Sequence, residues 1–243
     1  MKIAIIIPAY NEADTIGQVI QSVQQVLPES TVVVIDDGSA DNTYEKAKEV
    51  GAIAIKLVVN LGIGGAVQTG YLYAFQNDFD YAIQVDGDGQ HDPEYLTRIL
   101  APLIEGKADL VIGSRYINKI GFQSTVMRRI GSRYFNSLIH WITGQKITDP
   151  TSGFRACNKR IIKEFALSYP KDYPEPESIV YLKRKGYIIQ EIPVTMKERL
   201  AGSSSIHHYR SIYYMVKVST AIMIEAFRKS ENRKGTMNYD DGA

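Results

Sequence analysis

Short apolar runs recur through the first half of the chain, and segments with helical spacing lie between them. These mainly apolar segments occupy residues 3–7, 31–35, 53–59, 81–85 and 108–113, and the first of them is apolar throughout. A continuous apolar run is typical of a strand that is buried on both faces, as in a parallel sheet. The first intervening segment has apolar residues at helical spacing, namely Ile16, Val19, Ile20, Val23 and Val26. This alternation predicts βαβ units with right-handed crossovers, and so an α/β fold with a mainly parallel, doubly wound, Rossmann-like sheet.

The second half of the chain has longer helical segments and fewer strands. The predicted elements are a helix at 124–144, a loop at 149–157 that leads into a short strand, helices at 158–166 and 176–185, and a strand at 187–196. Because Pro193 cannot donate a ladder hydrogen bond, that last strand is expected at a sheet edge. We predict one domain over residues 1–210, an amphipathic helix over 211–228 and a disordered tail over 229–243.

Composition and charge exclude several classes of protein. The net charge of +1 over 243 residues gives no reason to expect a nucleic-acid partner. Cys157 is the only cysteine, so neither a disulfide framework nor a thiolate zinc cluster is expected. The first apolar run is too short for a signal peptide, and no stretch of 18 or more apolar residues is present. A cytoplasmic protein without a spanning segment is therefore expected.

Two carboxylates, Asp86 and Asp88, follow the apolar run at 81–85 and alternate with glycines. Oxygen ligands suit Mg²⁺ and Mn²⁺, which complete their coordination with water and substrate phosphate. We predict a site for Mg²⁺ or Mn²⁺ at Asp86 and Asp88. His91 is included as a third ligand, with a local hydrogen bond as its alternative. The competing interpretation of the whole stretch is an ordinary turn, in which Asp and Gly are common.

Further polar groups follow the other predicted strands. They are the segment from Pro8 to Glu12, the pair Asp36 and Asp37, and Asn60 with Gly62 behind it. Because the carboxyl ends of parallel strands form the ligand crevice of a doubly wound sheet, these groups are expected to converge there. Carboxylates in that crevice suit the hydroxyl and amide donors of a ribose and a base, with a metal ion neutralising the phosphates.

Six motifs span roughly residues 1–210, namely PAYNE, DDGSADNT, NLGIGGA, VDGDGQH, DPTSGFR and ERLAGSS. They resemble, in the same order, the motifs of glycosyltransferase family 2, which has the GT-A fold. Within that family the chain most resembles the dolichol-phosphate mannose synthase-like branch. The resemblance implies an inverting glycosyltransferase with a nucleotide-diphospho-sugar donor and a polyprenyl-phosphate acceptor at the membrane.

The resemblance also implies roles for individual residues. The expected donor-binding residues are Pro8, Tyr10, Glu12, Asp36, Asp37, Asn60, Gly62, Asp86 and Gly87. The expected acceptor-binding residues are Arg128, Arg129, Ser152 and Arg155. The expected catalytic residues are Asp88, Glu177 and Arg199, of which Arg199 would lie over the diphosphate. The chain departs from the family pattern at Ile63 and Ile206, where many relatives have lysine, so less positive charge is available for the diphosphate.

The acceptor is left open between a polyprenyl phosphate and a sugar hydroxyl of a polysaccharide or glycolipid. A phosphate is already an anion, whereas a hydroxyl needs a general base. Glu177 is the candidate base, and its alternative role is that of an acidic residue at a helix N-terminus. The helix at 211–228 suits a membrane interface or a small membrane protein as partner. A peripheral enzyme on the cytoplasmic face of the cell membrane is therefore expected.

Three other functions compete with glycosyl transfer. A dinucleotide-dependent oxidoreductase would use Gly62 and Gly64, but Val67 stands where the third glycine belongs. A sugar nucleotidyltransferase would need a basic, glycine-rich loop near the N-terminus, and that region is acidic. A non-catalytic homologue would not need both Asp86 and Asp88.

Overall fold

The structure, a computed structural model, describes residues 1–118, 126–171, 174–197 and 208–227, with backbone alone at 126–128 and 208–214. The strands are β1 (Ile3–Ala9), β2 (Thr31–Asp36), β3 (Ile53–Lys56), β4 (Tyr81–Gln84), β5 (Leu110–Ser114), β6 (Arg155–Asn158) and β7 (Ile189–Pro193). The helices are α1 (Ile16–Val26), α2 (Thr43–Glu49), α3 (Gly62–Gln76), α4 (Leu96–Ile104), α5 (Val126–Thr143), α6 (Lys159–Leu167), α7 (Pro174–Arg184) and α8 (His208–Phe227). A single 3₁₀ turn, Pro93–Tyr95, precedes α4.

The seven strands form one sheet in the order β3-β2-β1-β4-β6-β5-β7. All neighbouring pairs are parallel except those of β6, which runs antiparallel to β4 and β5. The chain builds outward from β1 to β3 and then returns to place β4 on the other side of β1, where Ile5 pairs with Ile83. This reversal makes a topological switch point between β1 and β4. The predicted α/β fold is confirmed, and β7 with Pro193 lies at the sheet edge as expected.

Helices cover both faces of the sheet, which explains the continuous apolar run of β1. Ile5 and Ile7 pack toward the layer that contains α1 and α4. Ala4 and Ile6 pack on the opposite face, in the layer formed by α3 and α5–α8. Since successive residues of a strand point to opposite faces, both sets must be apolar. All four side chains are fully buried.

Strand β3 ends three residues earlier than the sequence predicts. The backbone N–H of Leu57 donates to the carbonyl oxygen of Asp36 at 2.8 Å, and the chain then leaves the sheet. Val58 and Val59 are consequently exposed, at 99% and 60%. Their β-branched side chains favour a strand, but no neighbouring strand extends far enough to pair with them.

Helix α8 begins at His208, three residues before its predicted start, and contacts α5 and α7. Val218 and Ile222 are buried in the same apolar core as α3. The Arg184 guanidinium on α7 donates to the backbone carbonyl of Glu225 on α8. One face of this helix is therefore part of the core of the domain, although the sequence separates it from the domain at residue 210.

Helix α7 begins at Pro174, two residues before its predicted start. Glu175 and Glu177 both lie in its first turn, where acidic side chains interact favourably with the helix dipole. The prediction of a disordered tail at 229–243 concerns residues outside those that the structure describes.

Candidate active site

The loops after β1 and β4 meet at the switch point. A Cβ atom on Gly87 would overlap Oε2 of Glu12, so any other residue at this position would require the Glu12 side chain to move. The Thr15 hydroxyl also donates to the carbonyl oxygen of Gly87 at 2.8 Å. The predicted donor residue Glu12 and the predicted metal motif therefore lie in direct contact, in the crevice where ligands of doubly wound folds bind.

The two carboxylates of the metal motif differ in their surroundings. The Asp88 side chain is buried and accepts a hydrogen bond from the backbone N–H of Gln90 at 3.0 Å. The Asp86 side chain is 36% exposed. The loop bends at Gly89, whose φ of +78° lies in the left-handed region. One oriented and one accessible carboxylate suit a divalent cation that is also bound by water and phosphate.

His91 binds Asp86 directly. Its Nδ1 accepts the backbone N–H of Asp86 at 3.0 Å, its Nε2 lies 3.4 Å from Oδ2 of the same residue, and its ring stacks on Phe154. Burial lowers the pKa of His91 to about 4, although the negative charge of Asp88 opposes this shift, so the ring is neutral near pH 7. These contacts match the local hydrogen bond that the sequence left open.

A third metal ligand is not supplied by a preformed cluster. In the part of the chain that the structure describes, no three His, Cys, Asp or Glu side chains are grouped to hold a metal ion. The role of His91 as a ligand stays a prediction, and it would require the bond to the Asp86 N–H to break. The donor set that fits an ion is the pair Asp86 and Asp88.

Asp36 and Asp37 are adjacent at the end of β2 but make different contacts. Asp36 is fully buried, and its Oδ1 accepts the backbone N–H of Ser39 at 3.1 Å. Its Oδ2 lies 3.9 Å from the Lys56 ammonium and has no hydrogen-bond donor among the described residues. Buried polar atoms are normally satisfied, so this oxygen is suited to a donor group on a ligand.

Asp37 organises the start of α3. Its two carboxylate oxygens accept the backbone N–H groups of Leu61 at 2.7 Å and Gly62 at 2.9 Å. Burial raises the pKa of Asp37, and these two hydrogen bonds oppose the increase. Asn60 is exposed, and its side-chain oxygen also accepts the Gly62 N–H, at 3.1 Å. Contact of Asp37 with a ribose or base stays a prediction, because the structure gives it a backbone-anchoring role.

Asn11 fixes the loop that carries Tyr10 and Glu12. Its φ of +54° is unusual for a residue other than glycine. Its backbone N–H donates to the Ser39 hydroxyl at 2.9 Å, and its side-chain oxygen accepts the Ala40 N–H at 2.9 Å. Tyr10 is 52% exposed at the mouth of the crevice. Pro8 lies two residues before Tyr10, within β1, where it pairs with Ile35 of β2.

Arg155 does not lie where the sequence predicts an acceptor-binding residue. Its side chain is only 1% exposed and donates to the carbonyl oxygens of Ser152 at 2.7 Å and Pro150 at 3.0 Å, and to the Ser178 hydroxyl at 2.9 Å. Ser152 is also buried, and its hydroxyl donates to the Gly113 carbonyl at 2.7 Å. We correct the expectation for both residues, because these side chains hold the 150–153 loop against β5 and α7.

The remaining predicted residues are only partly described. Arg129 is exposed on α5. The side chain of Arg128 and the whole of Arg199 lie outside the described part of the chain. Glu177 is partly exposed in the first turn of α7. Burial raises the pKa of its neighbour Glu175 above its ordinary value, and the positive charge of Arg155 opposes the shift.

Arg115, which follows β5, is a site residue that the sequence did not predict. Its Nε donates to Oδ2 of Asp149 at 2.6 Å and its Nη2 donates to Oδ1 at 2.8 Å, so the pair is bidentate. Burial opposes the charge of Arg115, but the hydrogen bonds and charge of Asp149 keep its pKa above the ordinary value. Its charge also interacts with that of Asp86. The sequence signal was the position of Arg115 at the carboxyl end of a strand, the edge that carries the other site residues.

Comparisons with known proteins agree with this geometry. The model of "Glycosyl transferase family 2" matches residues 4–166. The chain is 31% identical over 212 residues to a UDP-N-acetylglucosamine–dolichyl-phosphate N-acetylglucosaminyltransferase of Methanococcus voltae, covering 79% of this chain and 84% of that protein. It is 29% identical over 212 residues to the polyprenol monophosphomannose synthase of Mycolicibacterium smegmatis, covering 83% and 80%.

The same fold occurs in a solved structure of low sequence identity. This is glucosyl-3-phosphoglycerate synthase from Mycobacterium tuberculosis in complex with Mn²⁺, uridine diphosphate and glucosyl-3-phosphoglycerate. The TM-score is 0.71 at 19% sequence identity, and the match covers 93% of this chain and 79% of that one. At this identity the match concerns the fold, and it agrees with the predicted GT-A architecture.

Proposed function

Because the chain belongs to glycosyltransferase family 2, we propose that it transfers a sugar from a nucleotide-diphospho-sugar to a polyprenyl phosphate. The observation that carries the proposal is the contact between Glu12 and the Asp86–Asp88 loop at the switch point. The names of the two relatives, which refer to dolichyl phosphate and to polyprenol monophosphomannose, support the acceptor class. The experiment that tests the whole proposal is the formation of a sugar–phosphate–polyprenol product.

Asp86 and Asp88 would hold the Mg²⁺ or Mn²⁺ ion that such a reaction uses. When bound, a divalent cation neutralises the diphosphate and stabilises the charge that develops on the leaving group. Asp88 is oriented by the Gln90 N–H, and His91 holds the backbone of Asp86. Arg115 supplies a fixed positive charge near Asp86, and guanidinium groups match phosphate oxygens well.

Glu12 and Asp36 are proposed to bind the nucleoside of the donor. Glu12 lies at the switch point, and the Oδ2 atom of Asp36 is buried without a hydrogen-bond donor among the described residues. Ribose hydroxyls and base N–H groups would supply that donor. Tyr10 at the mouth of the crevice offers an aromatic face to the base.

The acceptor class predicts the effect of Glu177→Gln. A polyprenyl phosphate carries its own negative charge, so no proton must be removed and the rate of transfer is expected to change by less than about threefold. If the acceptor were a sugar hydroxyl, loss of a general base would cost about 10²–10⁴-fold. The measurement is kcat for sugar transfer, with undecaprenyl phosphate and a glycan offered in turn as acceptor. Glu175→Gln, in the same helix turn, is the matched control for local structure.

A loss of 10² or more in the Glu177 variant alone would favour the hydroxyl acceptor. A small and equal change of kcat in both variants would support the phosphate acceptor. Glu175 and Glu177 would then act only as acidic residues that stabilise a helix N-terminus.

We also propose that the protein binds the cytoplasmic face of the cell membrane through α8 and α5. The described helices include none that is both long and apolar enough to traverse a bilayer. The outer side of α8 presents apolar side chains that are exposed, namely Val216, Ile224 and Phe227. Trp141 on α5 is 75% exposed, and the hydroxyls of Tyr134 and Ser219 lie 3.0 Å apart between the two helices. An amphipathic surface of this kind suits a membrane interface.

Membrane binding predicts the behaviour of the double variant Ile224→Ser and Phe227→Ser. Each exposed side chain would contribute about 1.5–3 kcal/mol if fully buried in lipid, so vesicle affinity is expected to fall at least tenfold. The measurement is co-sedimentation with vesicles that contain anionic lipid. Val58→Ser, an even more exposed apolar site that follows the edge strand β3, is the control.

If the wild-type protein and the double variant bind vesicles equally, the lipid surface is not on α8. If neither binds, a small membrane protein is the proposed second attachment, and the membrane-interface proposal is withdrawn.

A further inference from the structure

A network of carboxylates runs from the edge strand to the active site. Glu191 on β7 is partly buried, and its two oxygens accept three hydrogen bonds from one short segment of chain. Oε2 accepts the backbone N–H of Thr148 at 2.7 Å. Oε1 accepts the backbone N–H of Asp149 at 2.9 Å and the Thr148 hydroxyl at 3.0 Å. Glu191 therefore fixes both the position and the orientation of the Thr148–Asp149 peptide.

Asp149, which Glu191 holds in place, in turn orients the Arg115 side chain. The Asp149 side chain is fully buried, and its two oxygens accept the Nε and Nη2 groups of Arg115 in a bidentate pair. Oδ2 also accepts the Arg115 backbone N–H at 3.2 Å, and Oδ1 accepts the Thr151 hydroxyl at 3.3 Å. A bidentate pair sets the plane of the guanidinium as well as its distance.

Arg115 is joined to the loop that reaches Asp86. Its Nη2 donates to the Thr151 hydroxyl at 3.2 Å, and a Cβ atom on Gly153, two residues further along, would lie 3.3 Å from Oδ1 of Asp86. The charge of Arg115 interacts with Asp86 and with His91, which itself is hydrogen-bonded to Asp86. Its side chain retains 17% exposure, so it is not sealed into the core as Arg155 is. A guanidinium in this position can bind the donor diphosphate or the acceptor phosphate, since both present the same anionic oxygens.

We propose that Glu191 is a positioning residue for the transfer reaction: through Asp149, it orients the Arg115 guanidinium toward a substrate phosphate beside Asp86. This inference rests on the proposed function for its substrates. Glu191 itself touches no reacting atom. Its effect is to reduce the number of orientations that Arg115 adopts, because the peptide that carries Asp149 is held at three points.

The competing explanation is that Glu191 only stabilises the sheet edge, and Asp109 provides a matched comparison. Asp109 is a buried carboxylate, and it accepts the Ile188 N–H at 2.9 Å, the Asn158 amide at 2.7 Å and the Arg160 guanidinium. It therefore joins β5, β6 and β7 at their opposite ends, away from Asp86. A purely structural role predicts that Glu191→Gln and Asp109→Asn have similar consequences.

The test is a double-mutant cycle between Glu191→Gln and Arg115→Ala, with Asp109→Asn as control. Glutamine keeps one acceptor oxygen, but its NH2 group cannot accept, so either the Thr148 N–H or the Asp149 N–H loses its acceptor while side-chain volume is kept. The peptide that carries Asp149 is then held less firmly, and Arg115 is expected to lose orientation. Loss of an outer positioning group typically costs 10–100-fold, so we expect kcat/KM to fall about tenfold or more. In the Arg115→Ala background the same change is expected to cost less than twofold. Asp109→Asn is expected to change kcat/KM by less than twofold.

Two assays show which phosphate Arg115 binds. Hydrolysis of a nucleotide sugar without acceptor gives the donor KM, and transfer to undecaprenyl phosphate gives the acceptor KM. An increase confined to one of them identifies that phosphate. If the wild type makes no polyprenol product, the proposed function fails, while the hydrolysis assay still tests the coupling between Glu191 and Arg115.

Equal losses from Glu191→Gln in the presence and absence of Arg115 would overturn the inference, as would an equal effect of Asp109→Asn. Thermal unfolding of each variant establishes that the proteins compared are folded. If Glu191→Gln does not fold, Asp149→Asn replaces it in the cycle, and the same non-additivity with Arg115→Ala is required.

Discussion

Replacing Asp88 with alanine is expected to lower the rate of sugar transfer by about 10²–10³-fold, the usual cost of removing one group that stabilises transition-state charge. The reason is that Asp88 is one of two carboxylates available for the divalent cation, and the described residues around it contain no larger cluster that would compensate. The measurement is kcat with Mn²⁺ or Mg²⁺ at saturating donor.

The Asp88→Asn variant distinguishes loss of metal binding from disruption of the loop. Asparagine keeps an oxygen that can accept the Gln90 N–H, so the loop bond is retained while the negative charge is lost. We expect the asparagine variant to be almost as inactive as the alanine variant and to melt at the wild-type temperature. Full activity of either variant in EDTA would contradict a metal site at this position.

Replacing Asp36 with alanine is expected to raise the donor KM at least tenfold and to change kcat less. Its Oδ2 is a buried carboxylate oxygen without a hydrogen-bond donor among the described residues, and hydrogen bonds to charged groups contribute about 1.5–3 kcal/mol. The measurement is KM for the nucleotide sugar together with the Kd of the free nucleoside diphosphate.

Asp36→Asn is the companion variant, because it can preserve the hydrogen bond from the Ser39 N–H while removing the charge. An intermediate donor KM is expected for it. An unchanged donor KM with a reduced kcat in both variants would instead point to a catalytic role for Asp36.

The strands of the sheet could be predicted because each one is encoded by the residue pattern within its own short segment. The runs that became β1, β2, β4 and β5 are mainly apolar and do not alternate between apolar and polar residues, as strands covered by helices on both faces require. The same local logic failed at Val58 and Val59, where β propensity is high but no partner strand is within reach.

The site was predictable where strand ends carry carboxylates, as at Asp86 and Asp88, because parallel topology brings such ends together. It was not predictable where a role depends on contacts between distant segments. Arg115 and Asp149 are 34 residues apart in sequence. Arg155 is buried by carbonyl groups of its own loop and by Ser178 of α7, and a single sequence gives no sign of that burial.

The central claim is tested most directly by incubating the purified protein with undecaprenyl phosphate in vesicles, Mn²⁺, and in turn UDP-glucose, UDP-N-acetylglucosamine and GDP-mannose. With at least one donor we predict a solvent-extractable product in which the sugar is joined to the lipid phosphate, with release of the nucleoside diphosphate. Its formation should stop in EDTA. Nucleotide-sugar hydrolysis without any glycolipid, or transfer only to a glycan hydroxyl, would contradict the claim.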